Sequence, residues 1–158
     1  MRRKDREVTQ TSEIIEIMKK CDSCSVAFFD EGYPYVIPMN FGVEHIDGVV
    51  TLYFHSAKFG KKLDLLRKNG RVAFEMSCSH QLVEGESPCS YTMEYESVCG
   101  NGHMEILDQA QKIKALQVLM NQYVEEQSLS FEKIALENVV VMSLIVNELK
   151  GKRLIRNL

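Results

Sequence analysis

The stretch from Thr51 to Met76, TLYFHSAKFGKKLDLLRKNGRVAFEM, leaves few folds open to this chain. It reads as strand, sharp corner, short helix, glycine turn and second strand. Thr51-Leu-Tyr-Phe-His55 mixes β-branched and aromatic residues in rough alternation, the pattern of a half-buried strand. Ser56 stands where a helix N-cap would, and Ala57 to Lys68 carries Leu63, Leu65 and Leu66 at helical offsets. Asn69-Gly70 ends the helix, and Arg71 to Met76 resumes a strand. Lys58, Lys61 and Lys62 fall at i, i+3 and i+4, so the spacing predicts one basic face near the helix start. Ammonium groups, a hydroxyl and unpaired backbone N–H groups together make an anion site, most naturally for a phosphate. The same lysines could equally form a solvated helix face, and charge pattern alone does not choose between the two. The glycines and the Gly-Lys-Ser/Thr ending of a P-loop are missing.

The remaining segments supply strands for this corner to join. Thr11-Ser12-Glu13 before Ile14, Ile15, Ile17 and Met18 predicts a short amphipathic helix capped by Thr11 or Ser12. Cys24 to Phe29 reads as a strand, and Asp30-Glu31-Gly32 as a turn. Tyr33 to Phe41 reads as a strand interrupted by Pro38, which marks an edge or a bulge because proline cannot donate to a ladder. Beyond such a break, backbone groups can face a ligand. Asp47-Gly48 is a hairpin signal. Residues 77–89 read as a polar loop. Tyr91 to Leu107 is a long strand with a bend at Gly100 and Gly102. Asp108 to Tyr123 is helical, Phe131 to Leu136 a short helix, and Val139 to Val146 a buried last strand, with a basic end at Lys150 to Arg153. About six strands at short spacing, with helices between them, predict an antiparallel barrel with helices packed outside.

A length of 158 residues suits a single domain, preceded by a polar arm over residues 1–12. That arm is either a solvated tail or a segment that folds over a neighbouring subunit. A net charge of −3 argues against nucleic-acid binding, which needs a general basic excess. No apolar run approaches a membrane span, and the charged N-terminus has no apolar centre like that of a secretory signal. The expected location is therefore cytoplasmic. Five cysteines, an odd number at scattered spacings, then read as reduced thiols. Cys21-x2-Cys24 is half of a zinc site. Cys78, His80 and Cys89 lack the spacing to complete it, so no metal is expected. His55, alone on a strand, has a structural reading and a functional one. Its place just before the lysine corner would let it donate a hydrogen bond to a bound ring or substrate.

Several segments together carry a family resemblance: RRKDRE, GYPYVIPMNFGVE, the DG turn, LYFHSAKFGKKLDLLRKNGRVAFE, YTMEYESVCGNGHMEIL and LKGKR. The sequence resembles the 5-nitroimidazole-resistance branch of the pyridoxamine-5′-phosphate-oxidase-like flavoproteins. The HSAxxGKK corner following PMNFG is the specific part. The resemblance implies a mainly β fold, a split antiparallel β-barrel with a few flanking helices. It also implies a homodimer with a flavin at the subunit interface, usually FMN, with FAD as the alternative. By position, Lys61 and Lys62 with Ser56 would bind the flavin phosphate. Pro38, Met39 and Asn40 would line the isoalloxazine ring, His55 would face the substrate, and Glu75 and Ser97 would neighbour the cofactor. A split barrel leaves sheet edges to be covered, and twofold pairing of identical subunits is the commonest cover.

Two departures bound the reading. HQLVEGESPCSY at 80–91 matches no regular motif, and GKRLIRNL at the end lacks the Arg-rich substrate-phosphate site of the oxidases proper. Vitamin B6 oxidation is therefore not expected. The expected activity is flavin-dependent reduction of a small electron-poor substrate such as a nitro-aromatic. A flavin-binding sensor without turnover, and a haem-binding barrel with a histidine ligand, are the alternatives.

Overall fold

Strict period-two burial builds the barrel wall. In β2 (Cys24–Phe28), Cys24, Val26 and Phe28 are buried while Ser25 and Ala27 face outward. The same alternation runs through β5 (Val49–Ala57), where Val50, Leu52, Phe54 and Ser56 point inward. The computed structural model describes residues 3–124 and 130–156. Met1 and Arg2, at the start of the polar arm, lie outside them. The other strands are β1 (Glu7–Val8), β3 (Tyr35–Met39), β4 (Phe41–Ile46), β6 (Arg71–Val83), β7 (Thr92–Ile106) and β8 (Val139–Leu154).

All eight strands form one antiparallel sheet in the order β3-β2-β6-β7-β8-β5-β4, with β1 added to the end of β8. The two edges of this path, β3 and β4, follow each other in sequence with only Asn40 between them. The sheet therefore curls until its edges meet at one residue. Closure at that seam is covalent, with no ladder of hydrogen bonds, which makes the molecule a split antiparallel β-barrel. Pro38 sits on edge strand β3, paired to Ser25, where its missing N–H costs nothing.

α1 (Thr11–Lys20) buries Ile14, Ile15, Ile17 and Met18 in the main core with Phe28, Phe41, Phe54 and Met76. Each such side chain contributes about 1.5–3 kcal/mol relative to exposure. α3 (Gln109–Asn121) lies outside the wall, over β4, β5 and β8. Its Ala115 and Leu116 join Leu136 of α4 (Lys133–Asn138) and Val141 of β8 in a second cluster. Gly42 permits this packing, because a Cβ there would collide with the backbone of Val118 and Leu119. Buried Lys112 donates to the carbonyls of Leu136 and Val139, both at 3.0 Å, and ties α3 to the end of α4.

Several expectations needed correction. α1 starts from Gln10, which offers no side-chain cap, so neither Thr11 nor Ser12 caps it. Residues 77–83 are strand: β6 continues through a bulge between Cys78 and Gln81, with Ser79 at φ 57°. The basic end at Lys150 to Arg153 is strand too, since β8 pairs with β7 and β1 as far as Leu154. Within the arm, Glu7 and Val8 are strand, paired with Lys152 and Gly151 of the same chain. Asp108 does cap α3, its carboxylate accepting from the N–H of Gln111 at 3.0 Å.

A buried carboxylate fastens α1 to the wall. Glu96 of β7 is 2% exposed and accepts from Lys20 at 2.7 Å, Arg153 at 2.7 Å and Ser79 at 3.0 Å. Arg153 also reaches Glu13 of α1 at 3.0 Å. Among the described residues, no helix is long and apolar enough to cross a membrane.

Candidate functional site: a seam and a lysine corner

The lysine corner differs locally from its sequence reading. β5 runs on through Ser56 and Ala57 because they pair with Val140 and Val139 of β8. α2 (Lys61–Lys68) begins only after Gly60, whose φ of 138° is open to glycine and strained for other residues. Ser56 is therefore not the helix cap. It is buried, and its hydroxyl donates to the Ala57 carbonyl at 2.9 Å. Lys58 lies before the helix, so only Lys61 and Lys62 stand on its first turn. The backbone N–H groups of those two residues have no intrahelical acceptor, while Leu63 and Asp64 bond back to Gly60.

Lys61 bridges to the β2–β3 turn. Its Nζ lies 2.6 Å from Asp30 and 5.1 Å from the centre of the Tyr35 ring. The hydrogen bond from Lys61 holds the Asp30 carboxyl below its ordinary value. Arg67 pairs with Asp64, and Arg71 stands over the Phe29 ring. Lys58 and Lys62 have no carboxylate partner among the described residues. Beside Asp30, an apolar hollow of about 200 Å³ opens among Ala27, Phe29, Pro34 and Ala73.

The other end of the site is the seam. Phe41 pairs with Phe54, so the residues next along, Asn40 at the seam and His55 on β5, are neighbours, both exposed. Met39 points into the core, which leaves only its backbone for a ligand. Along β3, Tyr35 beneath Lys61 and Pro38 at the seam are three residues, or about 10 Å, apart. Glu75 shares an outward row with Pro38 through Ser25, two strands away. Ser97 lies in a row with Ser77 and Lys152, about 16 Å from Pro38 on strand spacings. The structure therefore gathers Pro38, Asn40, His55 and Glu75 at one end and Lys61 and Lys62 at the other, and leaves Ser97 apart.

Sequence reading missed the latch behind the seam. The Tyr123 phenol accepts from the N–H of Phe41 at 3.0 Å and donates to the Asp22 carbonyl at 3.0 Å. Asn40 donates its amide to the same Asp22 carbonyl at 3.2 Å. Gln122 donates to the carbonyls of Met18, Lys19 and Cys21, closing the end of α1. No local pattern marks Gln122 and Tyr123, because their partners lie about 80 to 100 positions away. A further hollow of about 480 Å³ opens among Lys19, Glu44, Gln122, Tyr123 and Val124, beside that latch. Among the described residues, no three His, Cys, Asp or Glu side chains gather as a metal site. Burial pushes the Cys24 thiol up to about 12.

Comparison with known proteins places the chain in a family. The sequence profile described as pyridoxamine 5′-phosphate oxidase matches residues 10–153, and the chain belongs to that family. A proposed 5-nitroimidazole antibiotic resistance protein from Bacteroides thetaiotaomicron is 36% identical, with a TM-score of 0.79 over 92% of this chain and 85% of that one. The likeness read from the sequence is borne out at that level. An FAD- and haem-binding protein from Mycobacterium smegmatis superposes with a TM-score of 0.81 at 17% identity, over 94% of this chain and 73% of that one. An FAD-binding protein from Mesorhizobium loti gives 0.63 at 21%, over 95% and 98%. These last two show a shared fold. No curated protein sequence matches significantly.

Proposed function

We propose that this protein holds a flavin, as FMN or as the FMN half of FAD, and uses it to reduce a small electron-poor substrate of the nitro-aromatic kind. One observation carries the reading: Lys61 and Lys62 open α2 with two backbone N–H groups that have no intrahelical acceptor, and Lys61 stands over Tyr35, three residues or about 10 Å along β3 from exposed Pro38. That donor set suits a phosphate monoester, and the spacing suits a flat ring attached to it. The flavin would supply the electron transfer; the protein positions it and controls access.

Lys61 and Lys62 neutralise the phosphate, with Lys61 exchanging Asp30 for the incoming anion. Ser56 adds a bond only if its hydroxyl leaves the Ala57 carbonyl. Pro38, Met39 and Asn40 present backbone and amide groups to the ring edge, and the Asp22 carbonyl holds the Asn40 amide in place. Glu75 borders the ring from β6. Ser97 reaches it only where a large ligand, or a second subunit, bridges the outer face. His55, exposed beside the seam, orients or protonates the substrate. The outer face of β2, β6 and β7 is built of small residues such as Ser25, Ala27, Ala73, Ser77 and Cys99, which favours close twofold pairing with a second copy. The five free cysteines suit a reducing, cytoplasmic setting.

The test begins with the visible spectrum and mass of the copurified ligand, which separate flavin from haem at once. Lys61→Ala with Lys62→Ala should weaken flavin binding at least tenfold, and unchanged affinity would refute the phosphate assignment. His55→Ala should keep the flavin and lose turnover of a nitro compound with NADH or NADPH as donor. A wild-type protein that binds flavin yet passes no electrons to such a compound is a sensor or carrier.

A further inference from the structure

Two large apolar side chains stand out from the surface more than any others among the described residues: Tyr33, 86% exposed, and Phe59, 85% exposed. They come from different loops, and both flank the same lysine. Phe59 lies two residues before Lys61, between β5 and α2. Tyr33 lies in the β2–β3 turn, between Asp30, which bonds Lys61, and Tyr35, whose ring lies under the Lys61 ammonium. The Lys61–Asp30 bridge therefore brings the two aromatic loops together at the phosphate end of the proposed flavin site. Gly60, between Phe59 and the helix, has nothing within 4 Å of the space a Cβ would occupy, so that flank is open. Lys58, exposed and without a carboxylate partner among the described residues, stands next to Phe59.

FMN ends at its phosphate and would leave both rings in water. Exposed aromatic side chains on the two loops that meet at a phosphate anchor suit a second flat group, and a neighbouring unpaired cation suits a second phosphate. We propose that the flavin is the dinucleotide: its pyrophosphate spans Lys58, Lys61 and Lys62, and its adenine stacks on Phe59 with Tyr33 at the other side. This rests on the flavin reading above and adds to it the identity of the ligand's second half. Stacking is indifferent to which base is offered, so the preference is for an aromatic base in general, with adenine supplied by FAD.

The experiment is a fluorescence titration of the flavin-stripped full-length protein with FMN and with FAD, run in parallel with sedimentation. FAD should bind about five- to a hundredfold more tightly than FMN, the range stacking of one base provides. Phe59→Ala should remove most of that preference while leaving FMN affinity within twofold, and Phe59→Trp should keep it. Tyr33→Ala should lower the preference in the same direction. Equal affinity of the wild type for the two flavins overturns the inference while the flavin site stands. So does a Phe59→Ala variant that turns monomeric and loses both flavins alike, since Phe59 then belongs to a subunit contact. Failure of the wild type to bind either flavin overturns the function reading itself.

Discussion

Replacing Glu96 by Gln keeps the side chain's size and removes its charge. One oxygen of Glu96 accepts from Lys20 and Ser79, the other from Arg153. A glutamine has a single oxygen, so its NH2 must meet a donor on one side or the other. A hydrogen bond to a charged group is worth about 1.5–3 kcal/mol, and at least one is lost. Lys20 and Arg153 are 51% and 31% exposed and can resolvate, so the loss stays below the ~3–5 kcal/mol of a fully buried pair. The expected cost is about 2 kcal/mol at pH 7, or about 4–8 °C in Tm for a chain of this size. Urea denaturation at fixed protein concentration measures it, with an unchanged m-value showing that the unfolded state is the same. Acidity provides the control. Burial pushes the Glu96 carboxyl up, but bonds from Lys20, Arg153 and Ser79 outweigh it and hold the carboxyl below its ordinary value. A carboxyl lowered in the folded state adds stability above its unfolded value of about 4.3 and surrenders it as pH falls through the folded value. The gap between wild type and Glu96→Gln should therefore be full at neutral pH and close below about pH 4. A loss under about 0.5 kcal/mol, or a gap unchanged in acid, would refute the account.

Two further outcomes follow from the site and the outer packing. Asp30→Asn removes the carboxylate that competes for Lys61, so flavin affinity should rise severalfold in a titration at low salt; a fall would show that Asp30 positions Lys61 for the ligand. Gly42→Ala presses a methyl group against the backbone of α3, which has no rotamer to move aside, and should cost about 1–3 kcal/mol in denaturant midpoint. A neutral result there would mean that α3 shifts freely over the wall.

The strands that were legible were those with one dry face. Cys24, Val26 and Phe28 alternate against Ser25 and Ala27, and the register of β2 follows from that alone. The extension of β6 through Ser77 to Val83 was not legible, because past the bulge both of its faces are largely wet and the residues are those of a loop. At the corner, Ser56 offered the better capping side chain, yet pairing with Val140 kept it in the strand and passed the cap to Gly60. The signal was present in Gly60-Lys61-Lys62, since glycine also serves at N-caps. The lysines and the seam residues were readable because each sits on a local motif. Their assembly was not, because Asp30, Asp22 and Tyr123 act across the fold. Nothing in a sequence window joins Tyr123 to Phe41.

The seam at Asn40 has a mechanical consequence. Every other pair of neighbouring strands along the path is riveted by a ladder, whereas β3 and β4 are held by one residue and the Tyr123–Asp22 latch. Such a wall has a built-in soft direction: its edges can part like the covers of a book without breaking any strand pairing. Amides on β3 and β4 should exchange with solvent earliest, and a bulky guest could be admitted at the cost of a few side-chain bonds. The barrel would then be compliant at the very line where the proposed flavin ring lies.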